Sequence, residues 1–286
     1  MLTDKPPRIA VSSWSVHNLL GVTYANGPGK IPTGLPEPTF GAGTLALLDL
    51  PAELVRRGYT RAEICHFHLA NLEQGYLKSV RDTFQKSGVV IQTLLIDDGD
   101  LTDSATRDRD LKWIANWIEA ASELGAENAR VIAGKAKPSP AALALSVDGL
   151  RAMAELGKAR GVRIVTENWF DLLSSPREVH HVLDKVGNQL GFLADTGNWH
   201  GAAKYDDLRS IFARAELCHA KCSFGPGLAM NDTDYGQCMK AAAEAGYAGP
   251  LTLIFESPGD EWRGLDMEHR FVRDYFSGKR AAQVAA

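Results

Sequence analysis

Short runs of β-branched and other apolar residues alternate along this chain with longer amphipathic stretches. Such alternation is typical of βαβ units built around a parallel sheet. The apolar runs predict eight strands, at 9–15, 62–69, 89–96, 129–134, 162–167, 190–195, 215–222 and 250–256. Segments with helical periodicity lie between them, and several end in glycine, a common helix stop. The pattern predicts an α/β protein with one domain over residues 1–286, a single (β/α)₈ TIM barrel.

One segment departs from this rhythm. The residues at about 16–45 are rich in glycine and proline and have no helical period, so we predict a long first βα loop. Long loops of this kind lie at the carboxyl-terminal face of a barrel and often cover the active site. The alternative is a surface excursion that serves as a contact between subunits.

Composition narrows the class of protein. With 286 residues, 45% of them hydrophobic and 23% charged, the chain is typical of a soluble globular protein. Its net charge of −4 argues against a nucleic-acid partner, which a basic stripe would normally accompany. No apolar stretch approaches the roughly 20 residues of a membrane span, and the first residues lack the features of a signal peptide. The four cysteines do not form a disulfide framework. We therefore expect a reduced, cytoplasmic protein that does not bind membranes.

The ends of four consecutive predicted strands carry residues able to bind a cation. Glu167 ends the fifth strand, Asp195 ends the sixth and Glu256 ends the eighth, while His219 lies near the end of the seventh. The carboxyl ends of parallel barrel strands converge on one mouth, so these side chains are expected to meet there. Because side chains alternate along a strand, each acid continues an inward apolar row.

A buried carboxylate is costly unless it is paired or bound to a cation. Three acids and an imidazole suit one divalent ion, Mn²⁺, Mg²⁺ or Co²⁺, with Zn²⁺ also acceptable. The alternative is four unrelated polar residues, each paired with a lysine or an arginine.

At these residues the sequence resembles the xylose isomerase-like family of sugar isomerases and epimerases, which includes endonuclease IV. The resemblance covers most of the chain and rests on the following stretches: the opening strand, AEICHFHL at 62–69, TEN at 166–168, DTGN at 195–198, HAK at 219–221 and DYGQCMKAAAEAGYAGPLTLIFES at 234–257. It implies that Glu167, Asp195, His219 and Glu256 hold one catalytic metal ion. It also implies that Glu167 and Glu256 act as acid and base.

The departures from the family bear on the reaction. Endonuclease IV-like enzymes hold three zinc ions and have a histidine where this chain has Asn198. The fourth strand here, ARVIAG, lacks their glutamate, and their D-x-H pair after the seventh strand is missing. These differences weigh against a nuclease and favour a site with one metal ion.

Six further residues are candidates for contact with a substrate, each with a structural alternative. His66 and His68 share a face of the second predicted strand, and one of them could instead bond a neighbouring loop. Lys221 could stabilise an enolate oxygen or serve as a counter-charge. Trp169 could stack on a sugar face or pack under a loop. Two more complete the set. Asn198 is at the altered family position, and Arg263 could bind a phosphate or carboxylate, although a solvated loop residue is the favoured interpretation.

These features lead to a predicted enzyme with a small carbohydrate substrate. The hypothesis is a metal-dependent isomerase or epimerase of a sugar, a sugar phosphate or a keto-polyol, which works through an enediolate and two carboxylates. The alternative is a dehydratase or lyase that eliminates a β-substituent from an inosose or a 3-keto-glycoside. An endonuclease IV-like nuclease and a non-catalytic sugar-binding barrel are less favoured. A homodimer or homotetramer is expected.

Overall fold

The computed structural model describes residues 7–30, 32 and 34–278. Its centre is a closed barrel of eight parallel strands, in the order in which they follow along the chain. The strands are β1 (Ile9–Ser12), β2 (Arg61–Cys65), β3 (Val90–Ile96), β4 (Asn128–Val131), β5 (Arg163–Glu167), β6 (Gly191–Asp195), β7 (Leu217–Lys221) and β8 (Leu251–Ile254). Pairing of β1 with β8, in which Ile9 is opposite Leu251, closes the sheet. The predicted TIM barrel is confirmed.

A helix follows each strand. The helices are α1 (Leu50–Arg56), α2 (Gln74–Lys86), α3 (Arg107–Leu124), α4 (Pro140–Arg160), α5 (Pro176–Val186), α6 (Lys204–Phe212), α7 (Asp232–Glu244) and α8 (Glu261–Phe276). Sequence signals set their ends. Ser139 caps α4 by accepting a hydrogen bond from the backbone N–H of Ala142, with Pro140 at the first helical position. Gly161 ends the same helix in a left-handed conformation, with φ of 72°. No helix among the described residues is long and apolar enough to cross a membrane.

The first βα connection is long, as predicted, although it has some regular structure. It begins with the short helical segments Ser13–Val16 and His17–Leu20, and Thr23–Tyr24 then pairs with Pro36–Glu37 in a small antiparallel ladder. A second small ladder, which the sequence did not indicate, joins Phe224–Gly225 to Ala229–Met230 after β7.

Several strands are shorter than predicted, which changes the position of two candidate residues. The second predicted strand extends over 62–69, but β2 ends at Cys65 and His66–His68 form a 3₁₀ turn. The prediction that His66 and His68 share a strand face is therefore wrong. The backbone N–H of Leu69 bonds to the carbonyl of His66, which closes the turn and ends the strand alternation.

The inside of the barrel combines a small apolar layer with a polar network. Val165, Leu193 and Leu217 form a separate cluster, distinct from the large core between the sheet and the helices. The polar part joins strands through Gln92, whose amide donates to Glu63 and to Thr252, at 3.0 Å in each case. This interior layer supports the residues at the mouth.

Candidate metal centre and active site

The carboxyl ends of the strands surround a cavity of about 280 Å³. Residues of all eight strands, or of the segments that follow them, form its wall, so the barrel itself fixes their relative positions. The lining consists of Ser12, Trp14, Cys65, Phe67, Leu95, Asp97, Arg130, Glu167, Trp169, Asp195, Asn198, His219, Lys221, Ile254 and Glu256. All four predicted metal ligands are in this group.

Three of those ligands form a compact cluster. Glu167, Asp195 and His219 are buried, and one potential ligand atom from each lies within 4.8 Å of the others. His219 Nδ1 is 3.5 Å from Glu167 Oε1 and 3.6 Å from Asp195 Oδ2. Two carboxylates and an imidazole that converge in this way fit a divalent cation, because such ions are bound by oxygen and imidazole ligands.

The electrostatics of the cluster favour ionised carboxylates. Burial alone would raise the pKa of Asp195, but Lys221, His219 and the backbone N–H of Gly197 lower that pKa to about 2. The Gly197 N–H lies 2.6 Å from Asp195 Oδ1. Asp195 is therefore ionised although it is buried, and the ionised carboxylate is the form that binds a metal ion.

Glu256 lies apart from the other three predicted ligands. It follows the end of β8 by two residues, and 41% of its side chain is exposed. Its Oε2 atom is 3.1 Å from Lys221 Nζ and accepts a hydrogen bond of 3.2 Å from Trp14 Nε1. Glu256 therefore faces the cavity as a partner of Lys221, beside the cluster.

Glu63 belongs to the site, although the sequence analysis did not select it. It lies on β2 with no exposed surface, and its Oε2 is 2.8 Å from Nε2 of His219. Because a carboxylate only accepts, His219 carries a hydrogen on Nε2, and Nδ1 faces Glu167 and Asp195. Gln92 and Thr93 donate to the other oxygen of Glu63 and fix its orientation. A carboxylate that orients a ligand histidine in this way is a frequent feature of metal sites.

A signal for Glu63 was present in the sequence. It is an acid in the middle of the apolar run AEIC, where alternation predicts an inward side chain. A carboxylate at such a position requires a hydrogen-bonding partner. Nothing local identifies that partner, which lies 156 residues further along the chain.

Arg130 on β4 is the second missed residue. Its side chain is 3% exposed, forms a close ion pair with Asp97, and places Nε 3.2 Å from Glu167 Oε2. Burial would lower the pKa of this guanidinium, but Asp97 and Glu167 raise it. Two cationic side chains, Arg130 and Lys221, therefore flank the acids of the site.

Three of the predicted substrate residues line the cavity. Asn198 donates a hydrogen bond of 3.0 Å to Glu167 Oε1. Trp169 covers the guanidinium of Arg130, whose central carbon is 4.8 Å from the ring centroid. Lys221 is the third, and its pKa, which burial would lower, is raised by Asp195 and Glu256.

The structure places the other three away from the cavity, since none of them belongs to its lining in the part of the chain that is described. His66 packs against Trp113 and Trp117. His68 Nδ1 lies 2.9 Å from Ser13 Oγ, and burial lowers its pKa to about 3. Arg263 lies in the first turn of α8. Phe67, between the two histidines, lines the cavity in their place.

Comparison with known proteins identifies the family. A sequence model described as the xylose isomerase-like TIM barrel matches residues 51–275. None of the curated proteins matches the sequence.

Solved structures are similar over nearly the whole chain. A xylose isomerase-like TIM barrel protein from Mycobacterium smegmatis in complex with magnesium has a TM-score of 0.68 and 15% identity, over 95% of this chain and 97% of that one. The apo 3-keto-D-glucoside 4-epimerase YcjR from E. coli has a TM-score of 0.64 and 13% identity, over 93% and 99%. D-psicose 3-epimerase with D-tagatose, from Clostridium cellulolyticum H10, has a TM-score of 0.65 and 14% identity, over 96% and 98%. At these identities the similarity shows the fold, and the family match shows that this chain belongs to the xylose isomerase-like TIM barrel proteins.

Proposed function

We propose that this chain is a divalent-metal-dependent isomerase or epimerase of a small sugar, sugar phosphate or keto-polyol. The observation that carries the proposal is the buried cluster of Glu167, Asp195 and His219 in the wall of a cavity that also contains Lys221 and Glu256. The cavity, at about 280 Å³, is close to the lower limit of about 300 Å³ for small-molecule sites, which favours a single sugar ring.

The two carboxylates and the imidazole of Glu167, Asp195 and His219 fit one divalent ion, Mn²⁺, Mg²⁺ or Co²⁺, with Zn²⁺ also acceptable. When bound there, the ion supplies Lewis acidity that polarises a substrate carbonyl and acidifies the neighbouring C–H bond. The magnesium bound by the Mycobacterium smegmatis protein of the same fold supports this choice.

The protein's own groups then account for the proton transfer. Glu256 is the most accessible carboxylate of the proposed site and takes the proton from the carbon beside the carbonyl. Lys221, 3.1 Å from Glu256, stabilises the negative charge that develops on the substrate oxygen. Return of the proton to the same carbon from the opposite face gives an epimer, and return to the adjacent carbon gives an isomer. The family resemblance assigns the second acid–base role to Glu167.

The substrate class rests on two kinds of support. Solved structures of the same fold include a 3-keto-D-glucoside 4-epimerase and a D-psicose 3-epimerase. In the wall of the cavity, Trp14, Phe67 and Trp169 offer aromatic surfaces suited to the apolar faces of a sugar.

The direct test is hydrogen exchange in D₂O. The protein with Mn²⁺ is incubated with D-fructose, D-tagatose, D-psicose and a 3-keto-glucoside, and products are followed by NMR. Deuterium on the carbon beside the carbonyl of an epimer or isomer is the expected result. An unsaturated product would instead indicate the β-eliminating lyase, and no exchange with any of these sugars would contradict the proposal.

A test variant, a control variant and a metal count accompany this experiment. Glu256→Gln should lower the exchange rate by about 10²-fold or more, as expected for loss of a general base. Glu155→Gln, at an exposed position on α4, should leave the rate unchanged. Native mass spectrometry should show one tightly bound ion per chain, because several ions would point to the nuclease alternative.

A further inference from the structure

Arg130 occupies a fixed position in the cavity wall. Asp97 holds its guanidinium in a close ion pair, and the ring of Trp169 covers it at 4.8 Å. Asp97 is held in turn from the other side, because its backbone N–H lies 3.1 Å from His66 Nδ1. With only 3% of the side chain exposed, Arg130 has little room to move away from these neighbours.

This position of Arg130 gives the two oxygens of Glu167 different surroundings. Oε1 faces the cluster, where it accepts a hydrogen bond of 3.0 Å from Asn198 Nδ2 and lies 3.5 Å from His219 Nδ1. Oε2 lies 3.2 Å from Arg130 Nε, in an ion pair without the alignment of a hydrogen bond. With Oε1 directed to the metal ligands and Oε2 to the guanidinium, neither oxygen is left to face a substrate carbon.

Glu256 differs from Glu167 in this respect. Its Oε2 contacts Lys221 and Trp14, whereas Oε1 accepts no hydrogen bond from any residue in the described part of the chain. The side chain is 41% exposed, against 5% for Glu167. Oε1 of Glu256 is therefore the carboxylate oxygen best able to approach a C–H bond of a bound sugar.

We propose that Arg130 is a positioning residue that reserves Glu167 for metal binding, so that Glu256 alone moves the substrate proton, on one face. This inference rests on the proposed function and departs from the two-carboxylate scheme that the family resemblance implies. It selects a class of reaction, since inversion at one carbon by proton return needs a second acid on the opposite face.

One-sided transfer is chemically complete for two reactions. In both, Glu256 breaks the C–H bond beside the carbonyl by taking the proton, and the electron pair of that bond remains on the substrate as an enediolate or enolate. In an isomerisation, Glu256 returns the proton to the former carbonyl carbon on the same face, the hydroxyl hydrogen passes to the former carbonyl oxygen, and the new carbonyl forms at the carbon that lost its hydrogen. In an elimination, Glu256 gives the proton to a β-hydroxyl, the C–O bond breaks, and water leaves. The site thus favours an aldose–ketose type of substrate or a β-hydroxy ketone.

The first test compares Glu167→Gln with Glu256→Gln on whichever sugar the wild-type protein exchanges. Isothermal titration with Mn²⁺ gives the affinity of each variant, and deuterium uptake is measured at saturating Mn²⁺. Glu167→Gln should bind Mn²⁺ at least about tenfold more weakly, as expected when a metal site loses part of its support. At saturation its exchange rate should return to within about tenfold of wild type, while Glu256→Gln stays at least about 10²-fold below.

Loss of exchange in Glu167→Gln would contradict the inference. If Glu167→Gln saturated with Mn²⁺ loses exchange as fully as Glu256→Gln, then Glu167 moves a proton and the inference is wrong. Exchange by the wild type would still support the proposed function in that case. Absence of both exchange and an unsaturated product with the wild type itself would overturn both.

The second test follows the hydrogen on substrate deuterated beside the carbonyl, in ordinary water. Transfer by one carboxylate carries part of the label into the product, whereas two-sided transfer replaces it with solvent hydrogen. Removing both charges of the buried pair with Arg130→Met/Asp97→Asn should free Glu167 and lower this internal transfer at least about twofold. Circular dichroism checks that the double variant folds, and the exposed Glu155→Gln serves as control. Wild-type isomer free of label, or unchanged transfer in the folded double variant, would overturn the inference. In an elimination the label leaves with the water, and the first test decides.

Discussion

His219 shows how single residues determine the chemistry of this site. The imidazole has two nitrogens. Nε2 donates its hydrogen bond to Glu63 at 2.8 Å, and Nδ1 therefore faces Glu167 and Asp195. Burial alone would lower the pKa of His219, but the nearby Glu63 and Glu167 raise it well above its usual value. Without an ion the ring therefore serves as a counter-charge to the acids, and metal binding requires it to release a proton.

The role of Glu63 can be measured through metal affinity. Glu63→Gln keeps the size of the side chain but removes the charge that fixes the tautomer of His219. We expect Mn²⁺ to bind about 10- to 100-fold more weakly, by isothermal titration at pH 7.5. Glu155→Gln, on the surface of α4, is the matched control and should bind as wild type does. Equal affinities for the two variants would show that Glu63 does not orient the ligand.

At the scale of elements, α8 contains an unusual buried acid. Neither oxygen of Glu268 makes a well-formed hydrogen bond, although the backbone of Cys222 lies nearby, and the residue has no exposed surface. Burial, and to a lesser extent the charge of Glu256, raises the pKa of Glu268 well above its usual value. The carboxyl therefore keeps its proton in the folded protein at a pH where the unfolded chain has lost it.

This difference predicts a pH-dependent stability. Below the ordinary pKa of glutamate, at about 4.5, Glu268 is protonated in both the folded and the unfolded state, so it does not reduce the free energy of unfolding. As the pH rises, the unfolded state ionises and is favoured, by up to about 1.4 kcal/mol per pH unit. Glu268→Gln removes this term, so its free energy of unfolding relative to wild type should increase between pH 5 and pH 8 in urea titrations. The exposed Glu155→Gln should show a constant difference, and a constant difference for Glu268→Gln would contradict the assignment.

The long first βα loop is fastened where two of its glycines meet. A Cβ on Gly43 would lie 2.3 Å from the carbonyl oxygen of Leu20, and one on Gly21 would lie 2.2 Å from the nitrogen of Gly43. Both residues also have positive φ, 71° at Gly21 and 69° at Gly43. The close crossing of these backbones is possible only because neither residue has a side chain.

Substitution at this crossing should loosen the loop. Gly43→Ala is expected to reduce the free energy of unfolding by at least about 1 kcal/mol, because the new methyl group meets backbone and φ is unfavourable. Gly75→Ala, in α2 with open space around its Cα, should be neutral or slightly stabilising. Urea denaturation compares the two, and faster amide exchange in residues 22–42 would locate the effect. Equal stability of the two variants would show that the crossing is not required.

At the scale of the whole molecule, the barrel gathers the proposed metal ligands from separate strands, so ion binding should stabilise the complete fold. At a Mn²⁺ concentration 100 times the dissociation constant, the expected gain is about 2.7 kcal/mol. For a chain of this size the gain corresponds to a rise in Tm of several degrees, measurable by calorimetry. EDTA should reverse the shift, and Asp195→Asn should nearly abolish it. A Tm that Mn²⁺ leaves unchanged in the wild type would contradict the metal centre.

The sequence by itself determined the class of fold and much of the site. Alternating apolar runs, glycine stops and amphipathic helices are local properties, and they predicted the barrel that the structure confirms. The same strand-end logic selected Glu167, Asp195, His219 and Glu256. The fold brings one ligand atom from each of the first three within 4.8 Å of one another, and Glu256 lies beside them. The cytoplasmic location and the homodimer or homotetramer stay predictions.

Only the tertiary structure decided how those residues are held. It revealed Glu63 behind His219 and Arg130 beside Glu167, and it replaced the predicted strand face of His66 and His68 with a tight turn. Strand periodicity indicates which side chains point inward, but it does not indicate which inward side chains become neighbours. That choice depends on the register between strands far apart along the chain, and barrel closure is what fixes the register.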